Sequence, residues 1–396
     1  MNASFWRELE NRIPEASIAL GLDRVQSALD AEGRPELNYP VVLIGGTNGK
    51  GSTSSFIASA LHLCGKRVGL FTSPHIVSPA ERIVVDGVAI DDAALVDLLG
   101  GLAKRHPQLT YFELFTVAAA CWFAQQRCDY GIFEIGLGGR LDACNALQSV
   151  VATVLTSVGL DHCHLLGGTL REVAAEKAAI IRSHAVVVSA EADHVVTEVI
   201  DDAVNAAGTE RLPVGLTGLP GADQLPGYLM ENMALAMALV HYLEPTPQSI
   251  NWRTVLDQRP PGRWQIVSKN PVKLIDGAHN PPGAEALVAA WQRIYGGKCA
   301  AIWLRVSLTK DAQAILACLD AIATSYKLIE SESGERRWWA TAELKSMTNQ
   351  PVDCVRAEIA AEHFIASESP AIWTGSLRGI ESLYCLDEAA GLTLVA

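Results

Sequence analysis

The sequence predicts a two-domain α/β protein, and three observations carry that reading. Short β-branched runs alternate with Ala- and Leu-rich stretches, the pattern of a parallel sheet with crossover helices. A glycine-rich turn, Gly46-Thr47-Asn48-Gly49-Lys50-Gly51-Ser52-Thr53, joins one such run to the stretch that follows it. Arg259-Pro260-Pro261-Gly262 then breaks the chain, because two prolines and a glycine cannot continue a helix, and a second alternating series follows. The expected architecture is a phosphate-loop domain with a mainly parallel sheet over residues 1–258, a hinge at 259–263, and a smaller Rossmann-like α/β domain over 264–396. Two such domains joined by a short hinge are expected to hold a ligand cleft between them.

The elements follow in order. Val41–Ile44 reads as a buried strand, and Lys50–Cys64 as a helix ended by Gly65. Arg67–Phe71 is the next strand, Glu113–Gln126 a helix, and Tyr130–Ile135 and Val150–Thr156 are strands. Thr169-Leu170-Arg171-Glu172 has the spacing of a capping box and opens a helix through Ile181. Ala185–Ser189 is a strand, and Met230–Tyr242 a helix stopped by Glu244-Pro245-Thr246-Pro247. Beyond the break, Val272–Ile275 leads through the turn DGAHNPPG into a helix from Ala284. Ala300–Val306, Tyr326–Ile329 and Ala371–Thr374 supply further strands.

Composition excludes several classes. Lys and Arg total 31 against 44 Asp and Glu, a net charge of −13, which opposes a general nucleic-acid or anionic-membrane binder. Hydrophobic residues are 49% and charged residues 19%, so a large core is expected rather than a disordered chain. No apolar run approaches the ~18–20 residues of a membrane span. The start, MNASFWRELENR, lacks a basic segment followed by an apolar one, so a cytoplasmic protein is expected. The nine cysteines are odd in number and none has C-x-x-C spacing, which reads as reduced thiols. With no heptads and no clear edge strand, a monomer is expected.

The chemistry begins at the glycine-rich turn. It follows a strand and precedes a helix, where glycines let backbone N–H groups approach phosphate oxygens and the helix terminus adds positive charge. Lys50 would reach the β- and γ-phosphates, and the Ser52 hydroxyl would bind Mg²⁺. A turn that only joins strand to helix has no need of a lysine with Ser and Thr behind it. Gly51 between Lys50 and Ser52 departs from the common G-x-x-x-x-G-K-[ST] spacing.

Polar residues also follow three other predicted strands, at the edge where parallel sheets bind ligands. They are Thr72-Ser73-Pro74-His75, Glu134 through Asp142, and Gly159-Leu160-Asp161-His162. Ser52, Ser73, Glu134 and His162 are expected to converge on hard cations beside the phosphates. Glu134 among Ile132, Phe133 and Ile135 would be a buried carboxylate, costly unless paired or on a metal. His162-Cys163-His164 lacks a fourth ligand with zinc spacing.

At these residues the chain resembles the Mur ligase superfamily, and within it the folylpolyglutamate synthase/dihydrofolate synthase family. The resemblance rests on Gly21-Leu22-Asp23-Arg24, GTNGKGST, TSPH followed by Glu81-Arg82-Ile83, Tyr111-Phe112-Glu113, EIGLGGRLDACN, GLDH, Glu176-Lys177-Ala178, and DGAHNP at Asp276–Pro281. It implies an ATP-dependent ligation of L-glutamate to a pterin-bearing carboxylate, dihydropteroate or a reduced folate, through an acyl phosphate, with two Mg²⁺ sites. It implies nucleotide contacts from Thr47 to Thr53 and from Asn232, Arg263 and Asp276, with His279 facing the same site. Magnesium positions are Ser52, Ser73, Glu134 and His162, joined by Lys177 as a carboxylated lysine. Pterin-side contacts are Gly21, Leu22, Asp23 and Arg24; Tyr111, Phe112, Glu113 and Leu114; and Leu141, Asp142 and Ala143.

The chain departs from the family pattern at several points. Cys144 stands where Thr is preferred, and Gly168 where an acid is usual. Ser307-Leu308-Thr309-Lys310-Asp311 lacks the first acid of D-K-D, and Thr374–Gly379 lacks the usual aromatic followed by G-E. These departures motivate an alternative, a sister amide ligase acting on a different carboxylate. A non-catalytic nucleotide-binding protein is a third reading, opposed by the intact Lys50, Glu134, His162 and Lys177.

Overall fold

The computed structural model describes residues 3–15, 17–190, 193–215, 225–245, 250–297, 299–330, 338–381 and 383–384. The chain divides into two compact units, one of Met1–Leu219 and Glu231–Gln258, the other of Pro220–Met230 and Arg259–Ala396.

The first unit begins with helices α1 Ala3–Arg12 and α2 Asp23–Ala31, then β1 Val41–Gly45 and α3 Lys50–Leu63. Strands β2 Val68–Phe71, β3 Ile83–Val85 and β4 Val88–Ala89 lead to α4 Asp92–Arg105 and α5 Tyr111–Gln125. Next come β5 Tyr130–Glu134, β6 Val150–Leu155, α6 Cys163–Leu166, α7 Leu170–Ala178 and β7 Val186–Ser189. The series closes with α8 His194–Ala207, β8 Arg211–Leu212, α9 Gly227–Leu243, whose first four residues count with the second unit, and α10 Trp252–Asp257. The sheet order is β4-β3-β2-β5-β1-β6-β7-β8, parallel except for the β2/β3 and β3/β4 pairs.

Every residue of β1 is buried, because the strand is central and covered on both faces. That is why it reads as an unbroken apolar run in the sequence. Helix α5 starts at Tyr111, two residues before the expected Glu113, because Thr110 and Glu113 form a capping box. Helix α7 stops at Ala178 rather than Ile181, and Ile180 and Ile181 are buried just beyond its end. The expected Pro-rich stop after Glu244 falls partly at residues 246–247, outside the described residues.

The second unit carries β9 Gln265–Lys269, β10 Val272–Ile275, α11 Pro281–Tyr295, β11 Ala300–Arg305, α12 Ala312–Leu319 and β12 Ala323–Glu330. It continues with α13 Thr341–Lys345, β13 Val352–Arg356, α14 Ala357–Ala366 and β14 Ala371–Gly375. Its sheet order is β13-β12-β11-β14-β10-β9, parallel except for β9/β10. Helix α11 begins at Pro281, earlier than the expected Ala284. Asn280 caps it, and the first turn tolerates proline because its N–H groups have no partner there.

The eight described cysteines are free, and Cys385 lies outside the described residues. No helix among the described residues is long and apolar enough to cross a membrane.

Candidate active site

The glycine-rich turn lies between the C-terminal end of β1 and the first turn of α3. Gly46 has φ of +140°, and a Cβ there would fall 1.8 Å from Thr156 Oγ1, so only glycine fits. The loop is held against the segment after β6. The single Thr156 hydroxyl proton is shared between Asn48 O at 2.7 Å and Gly45 O at 3.1 Å, and Ser157 Oγ donates to Asn48 O at 3.1 Å. Thr47 N donates to Ser157 O at 2.7 Å, while Thr47 Oγ1 donates to Gly159 O at 2.9 Å. Asn232 on α9 closes the other side, with Oδ1 2.3 Å from where a Gly49 Cβ would stand.

Two lysines meet this loop. Lys50 Nζ lies 3.3 Å from Gly46 O and 3.3 Å from Thr47 O. Lys177 Nζ donates to Gly46 O at 2.8 Å, and its side chain is buried. Burial, and then the charge of Lys50, bring the Lys177 ammonium down to about 7. A lysine near 7 is partly neutral at physiological pH, which is the state that can add CO₂.

The residues expected to bind metal fall on the two flanks of β1. Ser52 is 1% exposed and its Oγ has no hydrogen-bond partner. Glu134, at the end of β5, accepts from Ser73 N at 3.1 Å, and its Oε2 lies 3.5 Å from a Cβ built on Gly51. The structure thus brings Ser73, Glu134 and the first turn of α3 together. An unpaired buried hydroxyl beside a carboxylate fits a hard divalent cation. His162 stands after β6, on the other flank of β1, at φ of +51°. Its backbone N–H donates to Asp161 Oδ1 at 2.8 Å, and Nε2 lies 3.8 Å from the same oxygen. Among the described residues no three His, Cys, Asp or Glu side chains form a ready metal cluster. A cation here therefore needs Ser hydroxyls and ligand oxygens as well.

A cavity of about 220 Å³ counts Ser73 and Pro74 among its lining residues. Tyr111, Phe112, Glu113, Leu141, Asp142 and Ala143, all expected as pterin-side residues, line it. Asp142 is buried; burial lifts its carboxyl to about 6 against the backbone N–H bonds from Leu137 and Cys144. Gly21, Leu22, Asp23, Arg24 and Leu114 do not line the cavity. Leu114 is core, fully buried. Arg24 instead grips Glu113, Nε to Oε1 at 3.1 Å and Nη2 to Oε1 at 2.7 Å, and donates to Ala19 O at 2.5 Å. It positions the wall that Ile18, Ala19 and Leu20 form, which sequence reasoning missed together with Glu15 and Arg82. Their signal was faint: an apolar pair, Ile18 and Leu20, on a segment where both remain exposed.

The remaining residues belong to the second unit. Asp276 is buried, and its carboxylate accepts from Tyr228 Oη at 2.6 Å, Trp264 N at 2.9 Å and Ala278 N at 3.0 Å. Arg263 is half-buried, and His279 Nδ1 lies 2.8 Å from Gly277 O.

The Mur ligase middle domain matches residues 44–216. The dihydrofolate synthase/folylpolyglutamate synthase of Bacillus subtilis is 31% identical over 350 residues, covering 76% of this chain and 79% of that protein. The chain belongs to the folylpolyglutamate synthase/dihydrofolate synthase family. Membership makes it an ATP-dependent acid–amino-acid ligase. The Escherichia coli family member is 32% identical over 352 residues, 82% of this chain and 80% of its own length. Its solved structure with DHPP and ADP superposes with a TM-score of 0.87 at 27% identity, covering 98% of this chain and 97% of that one. A Yersinia pestis family member, solved with AMPPNP and a Mn ion, gives a TM-score of 0.84 at 27% identity, covering 98% of each chain.

Proposed function

We propose that this chain joins L-glutamate to the carboxylate of a pterin-bearing acid, dihydropteroate or a reduced folate, using ATP. One observation carries the reading: Ser73 belongs to both sites. It lines the cavity, and its N–H holds the Glu134 carboxylate over the first turn of α3. An acid seated in the cavity can therefore reach a phosphate held in the loop.

The carboxylate oxygen attacks the γ-phosphorus and the bond to the ADP oxygen breaks. The glutamate amine then adds to the acyl carbon, loses a proton, and phosphate leaves. Lys50 and the loop N–H groups neutralise charge on the transferred phosphoryl group, and the pinned loop supplies position. Ser52, Ser73 and Glu134 would hold one Mg²⁺, and His162 with a carboxylated Lys177 a second. Bound there, Mg²⁺ supplies Lewis-acid stabilisation of phosphate charge.

Phosphate release is the test, measured with ATP, glutamate and either dihydropteroate or tetrahydrofolate. Release with either pterin, dependent on glutamate for turnover, supports the reading and names the substrate. Release only with a non-pterin carboxylate would establish the sister ligase instead. No release with any acid would sink both.

A further inference from the structure

Arg82 and Glu15 line the cavity together, and neither has a part in the phosphate chemistry above. Arg82 follows a short capped turn after Ser78, Glu15 lies between α1 and α2, and the fold joins them from 67 positions apart. Arg82 Nη2 donates to Glu15 Oε1 at 2.5 Å, and Arg82 Nε donates to His75 Nδ1 at 2.9 Å. The guanidinium carbon stands 5.4 Å from the Tyr111 ring centre and 5.4 Å from that of Phe115. Its side chain is 4% exposed and that of Glu15 is 15% exposed. Hydrogen bonds to Glu15 and His75, with two aromatic rings beside it, hold the guanidinium in the wall. The glutamate segment is tied on its far side by Arg24, which donates to Ala19 O.

A buried ion pair is a poor source of net stability, since desolvation offsets most of the Coulomb attraction. What it does supply is a fixed acceptor beside a fixed donor. A carboxylate can accept about four hydrogen bonds and a guanidinium can donate five, so the two can serve each other and a ligand at once. The complement is a ligand edge with a ring N–H next to a carbonyl. A 2-amino-4-oxopteridine has that edge, N3–H beside C4=O. A 2,4-diaminopteridine reverses it, with an unprotonated ring nitrogen beside an amino group.

We infer that the Glu15–Arg82 pair reads the lactam edge of the pteridine and sets the preference for 4-oxo over 4-amino substrates. The inference rests on the pterin reading of the cavity. Its chemistry is specific because a mismatched edge leaves two buried charges facing groups of the wrong polarity. Sites built on buried hydrogen bonds discriminate strongly for that reason.

The experiment compares kcat/KM for dihydropteroate and for its 4-amino-4-deoxy analogue, in the wild-type chain and in Glu15→Gln. The wild type should prefer the 4-oxo acid by roughly tenfold or more. Glu15→Gln places an amide N–H where the acceptor was, so the ratio should fall by about tenfold, the loss falling on the 4-oxo acid. Glu15→Asp, which keeps the carboxylate, should retain most of the preference. A merely structural role would lower both substrates in parallel and leave the ratio unchanged, which would overturn the inference. So would a wild-type enzyme that accepts both acids equally. If neither pteridine supports turnover in the wild type, the pterin reading itself fails, a result distinct from an unchanged ratio.

Discussion

Gly46→Ala tests whether the shape of the loop, and not only its charges, binds the nucleotide. The new Cβ would stand 1.8 Å from Thr156 Oγ1, 3.0 Å from Thr156 Cβ and 3.2 Å from Thr156 N. The hydroxyl must swing away, and its bonds to Asn48 O and Gly45 O are lost. The one hydroxyl proton shared between them is worth about 1 kcal/mol net, and alanine at this positive φ adds roughly 1–2 kcal/mol. If instead the backbone moves, Gly46 O leaves Lys177 Nζ, now 2.8 Å away, with a similar loss. The loop is thus displaced from its shape by about 2–3 kcal/mol, which corresponds to up to roughly a hundredfold in nucleotide affinity. Gly65→Ala is the control. Gly65 also has a positive φ, +80°, but nothing lies within 4 Å of its would-be Cβ. Isothermal titration with a non-hydrolysable ATP analogue should show the large loss for Gly46→Ala and none for Gly65→Ala, although both destabilise somewhat. Equal affinities in the two variants would refute the steric argument.

Lys50→Ala should abolish turnover and weaken nucleotide binding while the melting temperature holds, since its two contacts are long, at 3.3 Å each; near-normal turnover would remove Lys50 from the phosphates. Glu134→Gln keeps the volume and loses the charge, so its activity should need much more Mg²⁺; an unchanged magnesium titration would make Glu134 a structural carboxylate. Lys177→Ala should lose activity and regain part of it with short carboxylic acids that stand in for a carbamate, and a fully active variant would refute carboxylation. Asp142 titrates at about 6 in the fold against an ordinary 3.8. Because the folded value is the higher one, its contribution to stability is complete below about pH 4 and is lost as pH rises through 6. Asp142→Asn should flatten that slope in urea midpoints, and a parallel slope in the variant would place the titration elsewhere.

The central strands and the phosphate loop were legible because their chemistry is local. Strand β1 is covered on both faces and reads as an unbroken apolar run, and β5, β6 and β7 are mainly apolar, interrupted only by Glu134, Thr153 and Ser189. The loop needs Gly, Lys and Ser at fixed spacing before a helix, whatever surrounds it. The short antiparallel strands β3 and β4 are a different matter. Three and two residues long, with β4 exposed, they carry no period that a sequence window can detect. Helix α4 also escaped notice. Its stripe of Leu95, Leu99 and Leu102 is broken by Gly100 and Gly101, which lower helix propensity.

The two sites differ in the same way. Lys50, Ser52, Ser73 and Glu134 sit at strand ends, and a parallel sheet brings strand ends to one edge, so their order along the chain predicts their meeting. The cavity is assembled from segments with no such rule. Ile18 and Leu20 line it on a segment that Arg24 ties at Ala19, and Arg82 is buried against Glu15, His75, Tyr111 and Phe115. The expected phosphate loop and its carboxylate are visible in the chain order alone, since backbone N–H groups, a lysine and a carboxylate fall at positions set by strand and helix. The lining of the cavity depends on packing between distant segments. A side chain's partner across 67 positions depends on how the intervening helices and strands pack, and no local pattern encodes that packing.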